Sequence, residues 1–265
     1  MTRVLWLTDI HLNFLNPVQF EKFIQLIRNA KADSVLISGD IGEAPRLKYY
    51  LQQLESRLRC PIYFVLGNHD FYGASIEDVD SLVREVTKDS KYLHWLTTDG
   101  IVELADKVGL IGHDGWADGR YGNYAASQLM LNDYLAIRNF VGKNKVQRLS
   151  LLNGLGDAAA SYVYEWLPKA LVRFDHVFFV THVPPFREAC QHSGERFDDD
   201  WLPYYASKAV GDALVKVMCD HPQKKLTVLC GHTHGRQQVN ILDNLLVMTG
   251  GAEYSHPEVQ HIFDL

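Results

Sequence analysis

Five short apolar runs in this chain end in the same way. Val4 to Leu7 leads into Asp9-Ile10-His11, Ser34 to Ser38 into Gly39-Asp40, and Ile62 to Leu66 into Gly67-Asn68-His69-Asp70. Farther on, Val177 to Val180 leads into Thr181-His182, and Leu226 to Cys230 into Gly231-His232-Thr233-His234-Gly235. A short apolar run bounded by turn residues reads as a buried strand. Open α/β sheets gather their ligands outside the carboxyl ends of such strands. Five strand ends of one sheet would therefore converge on one crevice lined by Asp, Asn and His, side chains that bind metals. The constellation reads as a two-metal hydrolytic centre.

The segments between the runs supply the covering helices. Asn16 is a good N-cap, Pro17 suits a first turn, and Phe20, Phe23, Ile24 and Ile27 recur at helical spacing. A second helix is predicted from about Pro45 to Leu58, and a third runs from a Ser75 cap to about Lys88. This β-α-β-α-β order implies parallel strands joined by right-handed crossovers. Asp9 and His11, two residues apart, share a face if the extended conformation of the first strand continues. Ile101 to Leu104 and Val108 to Ile111 read as short strands, and a helix is expected near Ser207 to Cys219. Val239 to Ile241, Leu245 to Thr249 and Val259 to Phe263 read as an antiparallel finish. Residues 121–173 read as a mostly helical insertion within one domain spanning 1–265.

Composition removes several functional classes. Hydrophobic residues make up 47% and charged residues 22% of the 265, a globular balance. No apolar run reaches the roughly 18 residues a spanning helix needs. Asp9 and His11 break any N-terminal signal core, so a cytoplasmic protein with no membrane partner is expected. The four cysteines form no Cys-x-x-Cys pair, against a zinc knuckle, a redox pair or a secreted disulfide frame. A net charge of −6 has the wrong sign for an extended nucleic-acid surface. It admits a nucleotide, because bound cations supply local positive charge.

Taken in order, Asp9-x-His11, Gly39-Asp40, Gly67-Asn68-His69-Asp70, Thr181-His182 and Gly231-His232-x-His234 resemble the five signature blocks of the calcineurin-like metallophosphoesterases. The resemblance implies a four-layer α/β sandwich of two mixed β-sheets flanked by helices, with the metal site at strand C-terminal ends. It places Asp9, His11 and His234 on a first metal, Asn68, His182 and His232 on a second, and Asp40 between them. It also implies that His69 is the general acid, that Asp70 orients its ring, and that a hydroxide shared by the metals attacks phosphorus in line. The mixed imidazole, amide and carboxylate set suits two divalent or mixed-valence ions of Mn, Fe, Zn, Co or Ni, with Mn or Fe preferred. The block reads Gly-Asn-His-Asp where protein Ser/Thr phosphatases carry Gly-Asn-His-Glu, and their Asp-Arg-Gly extension is missing. Small-molecule or nucleotide phosphate esters are therefore the expected substrates. A phosphodiesterase is preferred, with a phosphomonoesterase and a non-catalytic metal-binding scaffold as alternatives.

Two loops remain as candidate rims of the site. Gly112 to Arg120 mixes aromatic and charged residues, a content shared by binding rims and by plain solvated connections. Arg187 to Trp201 is acidic and aromatic, and Asp198 to Asp200 more ordinarily decorate the approach to a helix. Arg120 and Arg187 are the candidate substrate-binding residues, since a guanidinium meets phosphate oxygens with two parallel hydrogen bonds.

Overall fold

A computed structural model describes residues 1–192 and 194–265. The chain begins β1 (Arg3–Leu7), α1 (Pro17–Asn29), β2 (Ser34–Ser38), α2 (Ala44–Leu58), β3 (Ile62–Val65), α3 (Ile76–Lys88) and β4 (Leu93–Trp95). β1 pairs with β2, β2 with β3 and β3 with β4, all in parallel, as the alternation of strands and helices predicts. Asn16 with Gln19 and Ser75 with Asp78 form capping boxes. α1 and α3 therefore start where polar side chains take up the first free amides.

After α4 (Leu96–Asp99), a single turn, the chain enters a second sheet through β5 (Val102–Ala105) and β6 (Val108–Gly112). A long connection then carries α5 (Asp133–Ala136) and α6 (Lys145–Arg173) to β7 (His176–Val180). A small hairpin of β8 (Gln191–His192) and β9 (Glu195–Arg196) precedes α7 (Leu202–Tyr205) and α8 (Lys208–Cys219). β10 (Lys225–Cys230), β11 (Gln237–Leu242), β12 (Leu245–Thr249) and β13 (His261–Asp264) complete the molecule. The first sheet has the order β13-β1-β2-β3-β4 and the second β11-β12-β10-β7-β6-β5.

Side chains alternate across each strand, so each sheet has two faces to bury. Leu5, Leu7, Val35, Ile37 and Phe64 share a core with Phe23, Leu47, Leu51 and Val83 of α1, α2 and α3. From the other face, Val4, Trp6, Leu36 and Val65 meet Leu110, Phe178, Val180 and Leu229 of the second sheet. The outer face of that sheet, with Val177, Phe179, Val228 and Val247, packs on Val163 and Leu167 of α6 and Leu214 of α8. Helix, sheet, sheet and helix make the four layers expected. Truncating a buried aromatic such as Phe64 in such a core costs about 3–5 kcal/mol.

Two sequence expectations need correction. The five motif-bearing strands do not share one sheet: β1, β2 and β3 lie in the first, β7 and β10 in the second. An apolar run records burial on both faces and carries no mark of which parallel neighbour it takes. The C-terminal strands are not a plain antiparallel finish either. β11 is antiparallel to β12, but β12 runs parallel to β10, and β13 crosses to the first sheet, where it pairs antiparallel with β1. Residues 121–173 are mostly helical as expected, in α6 and the single turn α5, with residues 121–132 in turns and coil. No helix among the described residues is long and apolar enough to cross a membrane.

Candidate metal centre

The strand ends of both sheets meet at one edge of the sandwich. Beyond β1 and β2 the chain keeps its cross-bonds, Asp9 N–H donating to the Gly39 carbonyl and His11 N–H to that of Asp40, each at 3.0 Å. Extended geometry nevertheless stops, because Asp9 (φ 47°) and His11 (φ 39°) both lie in the left-handed region. The expectation that they share a strand face is therefore overturned. Left-handed turns, rather than strand alternation, bring both carboxylate and imidazole into one cluster. Glycines permit the two sheets to approach. A Cβ on Gly39 would lie 2.5 Å from His182 Nδ1 and 2.8 Å from Gly67 N, and one on Gly67 would strike Asp40 Oδ1. Two further bonds tie the sheets together across the site. His182 Nδ1 is 2.9 Å from the Ser38 carbonyl, and His232 N–H donates to the Asp9 carboxylate at 3.1 Å.

Two groups of donor atoms face each other across Asp40. Ligand atoms of Asp9, His11, Asp40 and His234 all lie within 4.8 Å of one another. Within this group His11 Nε2 and His234 Nε2 are 3.3 Å apart, and Asp9 Oδ1 is 3.4 Å from His234 Nε2. Asp40 Oδ2 is 3.6 Å from His11 Nε2, while its other oxygen, Oδ1, is 3.5 Å from His182 Nε2. Asn68 Oδ1 lies 3.2 Å from that same His182 nitrogen. The ring of His232 stands 5.0 Å from that of His182. One carboxylate thus turns one oxygen to each group.

The tautomers follow from the outer partners of the rings. Nδ1–H of His182 donates to Ser38 O, which leaves Nε2 as a lone-pair donor. His232 is arranged the other way: Nε2–H donates to the Tyr204 carbonyl at 3.0 Å and leaves Nδ1 free. Burial pushes both His11 and His232 down to about 3, so these imidazoles are neutral and able to ligate. Burial also raises Asp40 well above the usual carboxylate range, reinforced by the Asp9 charge. Burial alone would raise Asp9 as well, but the His234 side chain and the neighbouring imidazoles outweigh it and hold the group below that range. Two buried carboxylates surrounded by imidazole nitrogen and amide oxygen donors are a set that fits cations.

Other sequence-predicted site residues fall elsewhere. Asp70 is fully buried, and its oxygens accept from the amides of Ile41 (2.9 Å), Gly42 (2.8 Å) and Gly67 (2.8 Å). Among the described residues no hydrogen bond joins it to the His69 ring, so it fixes the loops rather than the imidazole. Both residues sit in the 3₁₀ turn Asn68–Phe71. His69 itself lines the cavity beside the donor atoms, stacked on Tyr72 with ring centres 4.3 Å apart. Its Nδ1 is buried with no partner among the described residues, and burial pushes the ring down to about 4.

Neither candidate arginine lines the cavity. Arg120 is held by the fully buried Asp118 (3.2 Å) and by Asp157 (2.7 Å), and Asp118 also accepts the Ala209 amide at the start of α8. Arg187 pairs with Asp199 at 2.8 Å. The loop from Gly112 to Arg120 is largely core. Asp114 accepts from Leu66 N, Trp95 Nε1 and Thr97 Oγ1, and Trp116 is 6% exposed. The loop from Arg187 to Trp201, of which Ser193 lies outside the described residues, does reach the site. His192, Glu195, Arg196, Phe197, Asp198 and Trp201 line a cavity of about 620 Å³ together with Asp40, Asn68, His232 and His234. Sequence reasoning missed Arg196, and it also missed Tyr254, whose ring lies 4.7 Å from that of His11. Neither residue carries a local pattern that would have marked it.

A four-layer sandwich with a His, Asp and Asn cluster at facing strand ends defines a metal-dependent phosphoesterase architecture. The chain belongs to the calcineurin-like phosphoesterase family, whose model matches residues 2–236. Among solved structures it is similar to a phosphopantetheinyl hydrolase from Mycobacterium tuberculosis, with a TM-score of 0.68 and 13% identity over 96% of this chain and 90% of the other. It is also similar to a dimetal phosphatase from Danio rerio, with a TM-score of 0.57 and 14% identity over 97% and 89% of the two chains. No curated protein sequence matches the chain.

Proposed function

We propose that the protein hydrolyses a small-molecule or nucleotide phosphate ester with two transition-metal ions, and that diesters are preferred. The observation that carries this reading is Asp40, with one oxygen 3.6 Å from His11 Nε2 and the other 3.5 Å from His182 Nε2. Asp9, His11 and His234 would hold the first ion and Asn68, His182 and His232 the second, with Asp40 between them. Bound there, the ions supply Lewis-acid polarisation of phosphoryl oxygens and a nucleophile at neutral pH. His69 is the proposed general acid at the leaving-group side, a role that needs the protonated ring, whereas burial in the metal-free site holds that ring down to about 4 and so favours its neutral form. Tyr72, not Asp70, holds that ring in place.

The cavity of about 620 Å³ extends from the cluster to Arg196 and Trp201. This is the size of sites that take whole small molecules, and its aromatic wall suits a leaving group larger than phosphate. A monoesterase remains the second reading, favoured by the likeness to a dimetal phosphatase. Manganese- or iron-reconstituted protein should be compared on bis-(p-nitrophenyl) phosphate and p-nitrophenyl phosphate. A higher kcat/KM for the diester supports the proposal, the reverse order favours the monoesterase, and no turnover of either with two metals bound returns the fold to a binding scaffold.

A further inference from the structure

We propose that Asp133, a residue outside all five sequence blocks, is a positioning residue that fixes which end of the Asn68 amide faces the second metal. This inference rests on the reading of Asn68 as a ligand. An amide side chain has an oxygen that ligates and a nitrogen that does not, and nothing in its shape distinguishes a correct from a flipped orientation. The partner of the other end decides. Asp133 Oδ1 accepts from Asn68 Nδ2 at 2.9 Å and from the Tyr72 hydroxyl at 2.7 Å. An ionised carboxylate only accepts, so it selects the Asn68 nitrogen and turns Oδ1 toward His182 Nε2, 3.2 Å away. Through Tyr72 the same carboxylate also anchors the ring on which His69 is stacked.

Placement of Asp133 is not incidental. It is 5% exposed, and an acidic group is rarely buried without a task. The one-turn α5 that carries it is clamped to the segment following Asn68. Gly73 N–H donates to the Ala136 carbonyl at 2.8 Å, Arg138 N–H to that of Ala74 at 2.9 Å, and Ile76 N–H to Asn139 Oδ1 at 2.8 Å. The connection between the third and fourth blocks is thus docked on the third.

The test is a titration of metal-free protein with Mn(II), read by calorimetry and by the electron paramagnetic signal of Mn(II), which separates coupled pairs from single ions. Asp133→Ala should weaken the second equivalent by about 10–100-fold, the usual effect of removing a partner behind a ligand, and leave the first unchanged. The coupled-pair signal should give way to that of single ions. Asp133→Asn, which keeps an acceptor oxygen, should restore binding to within a few fold of wild type. Asp133→Leu fills the same space without an acceptor and carries the test if the alanine variant does not fold. Equal weakening of both ions, or wild-type binding by the alanine and leucine variants, overturns the positioning role. Asn68→Ala, measured alongside, separates the two failures. If it still binds two ions tightly, Asn68 is no ligand and the underlying reading falls. If it loses the second ion while the Asp133 variants keep it, only the role of Asp133 falls.

Discussion

Asp40 has a φ of 54°, and Asp9, His11, His232 and His234 share this left-handed conformation at 47°, 39°, 69° and 57°. Backbone of this kind costs of order 1–3 kcal/mol per residue and collects where function holds it in place. Asp40→Ala should therefore cost both metals at once, whereas His11→Ala should weaken chiefly the first. Metal analysis finding two full equivalents on the Asp40 variant would end the bridging assignment. For His69→Asn we expect both metals retained and a loss of about 10²–10⁴ in rate on alkyl esters, with a smaller loss on nitrophenyl esters. Equal losses on the two substrates count against an acid role. The identities of the clustered residues were readable because each follows an apolar run, but their conformations were not. Asp70 shows the limit: adjacency to His69 in sequence suggested a pair, while the amides of Ile41, Gly42 and Gly67 claim its oxygens. Asp133 was invisible, since a lone acid in a connection has no periodicity to betray it.

At the scale of elements, the β8–β9 hairpin and the turn to α7 form the wall that a substrate meets. Phe197 and Trp201 stack with ring centres 6.1 Å apart, and Tyr205 links them to His232 at 4.8 Å. Arg196 has no ion pair among the described residues and lines the cavity. Arg196→Ala and Trp201→Ala should raise KM several-fold for a diester with aromatic substituents, with metal content and melting temperature unchanged. Unaltered KM in the double variant would remove the hairpin from the binding site. Arg120→Ala should behave in the opposite way. It leaves the buried Asp118 carboxylate without its cation, costing roughly 1–3 kcal/mol of stability, with kcat/KM and metal content preserved in the folded fraction. A denaturant titration coinciding with wild type would refute this. The sequence located every strand that carries a cluster residue, because burial leaves an apolar trace. Division of those strands between two sheets left none, since parallel partners are chosen by the path of the intervening chain.

Across the whole molecule, the cluster joins two sheets that otherwise meet through apolar contacts such as Trp6 and Val65 against Phe178 and Val180. Ions bound to ligands from both sheets, Asp9 from one and His234 from the other, favour the folded state by mass action. At a free metal concentration of about 100 times Kd this linkage is worth about 2.7 kcal/mol per site. Chelation should then lower the melting temperature by roughly 5–10 °C for each site emptied, given about 2–4 °C per kcal/mol in chains of this size. Identical melting curves with and without chelator would show that the sheets do not depend on the ions.

The crossing of β13 to pair with β1 sets a constraint of timing as well as shape. On a ribosome, Arg3 to Trp6 emerge long before their hydrogen-bonding partners, His261 to Asp264. Until those residues are made, one edge of the nascent first sheet stays open, a surface on which strands of other chains can add. Chains stalled or cut before residue 261 should accumulate as aggregates, whereas chains that include His261 to Asp264 close their own edge.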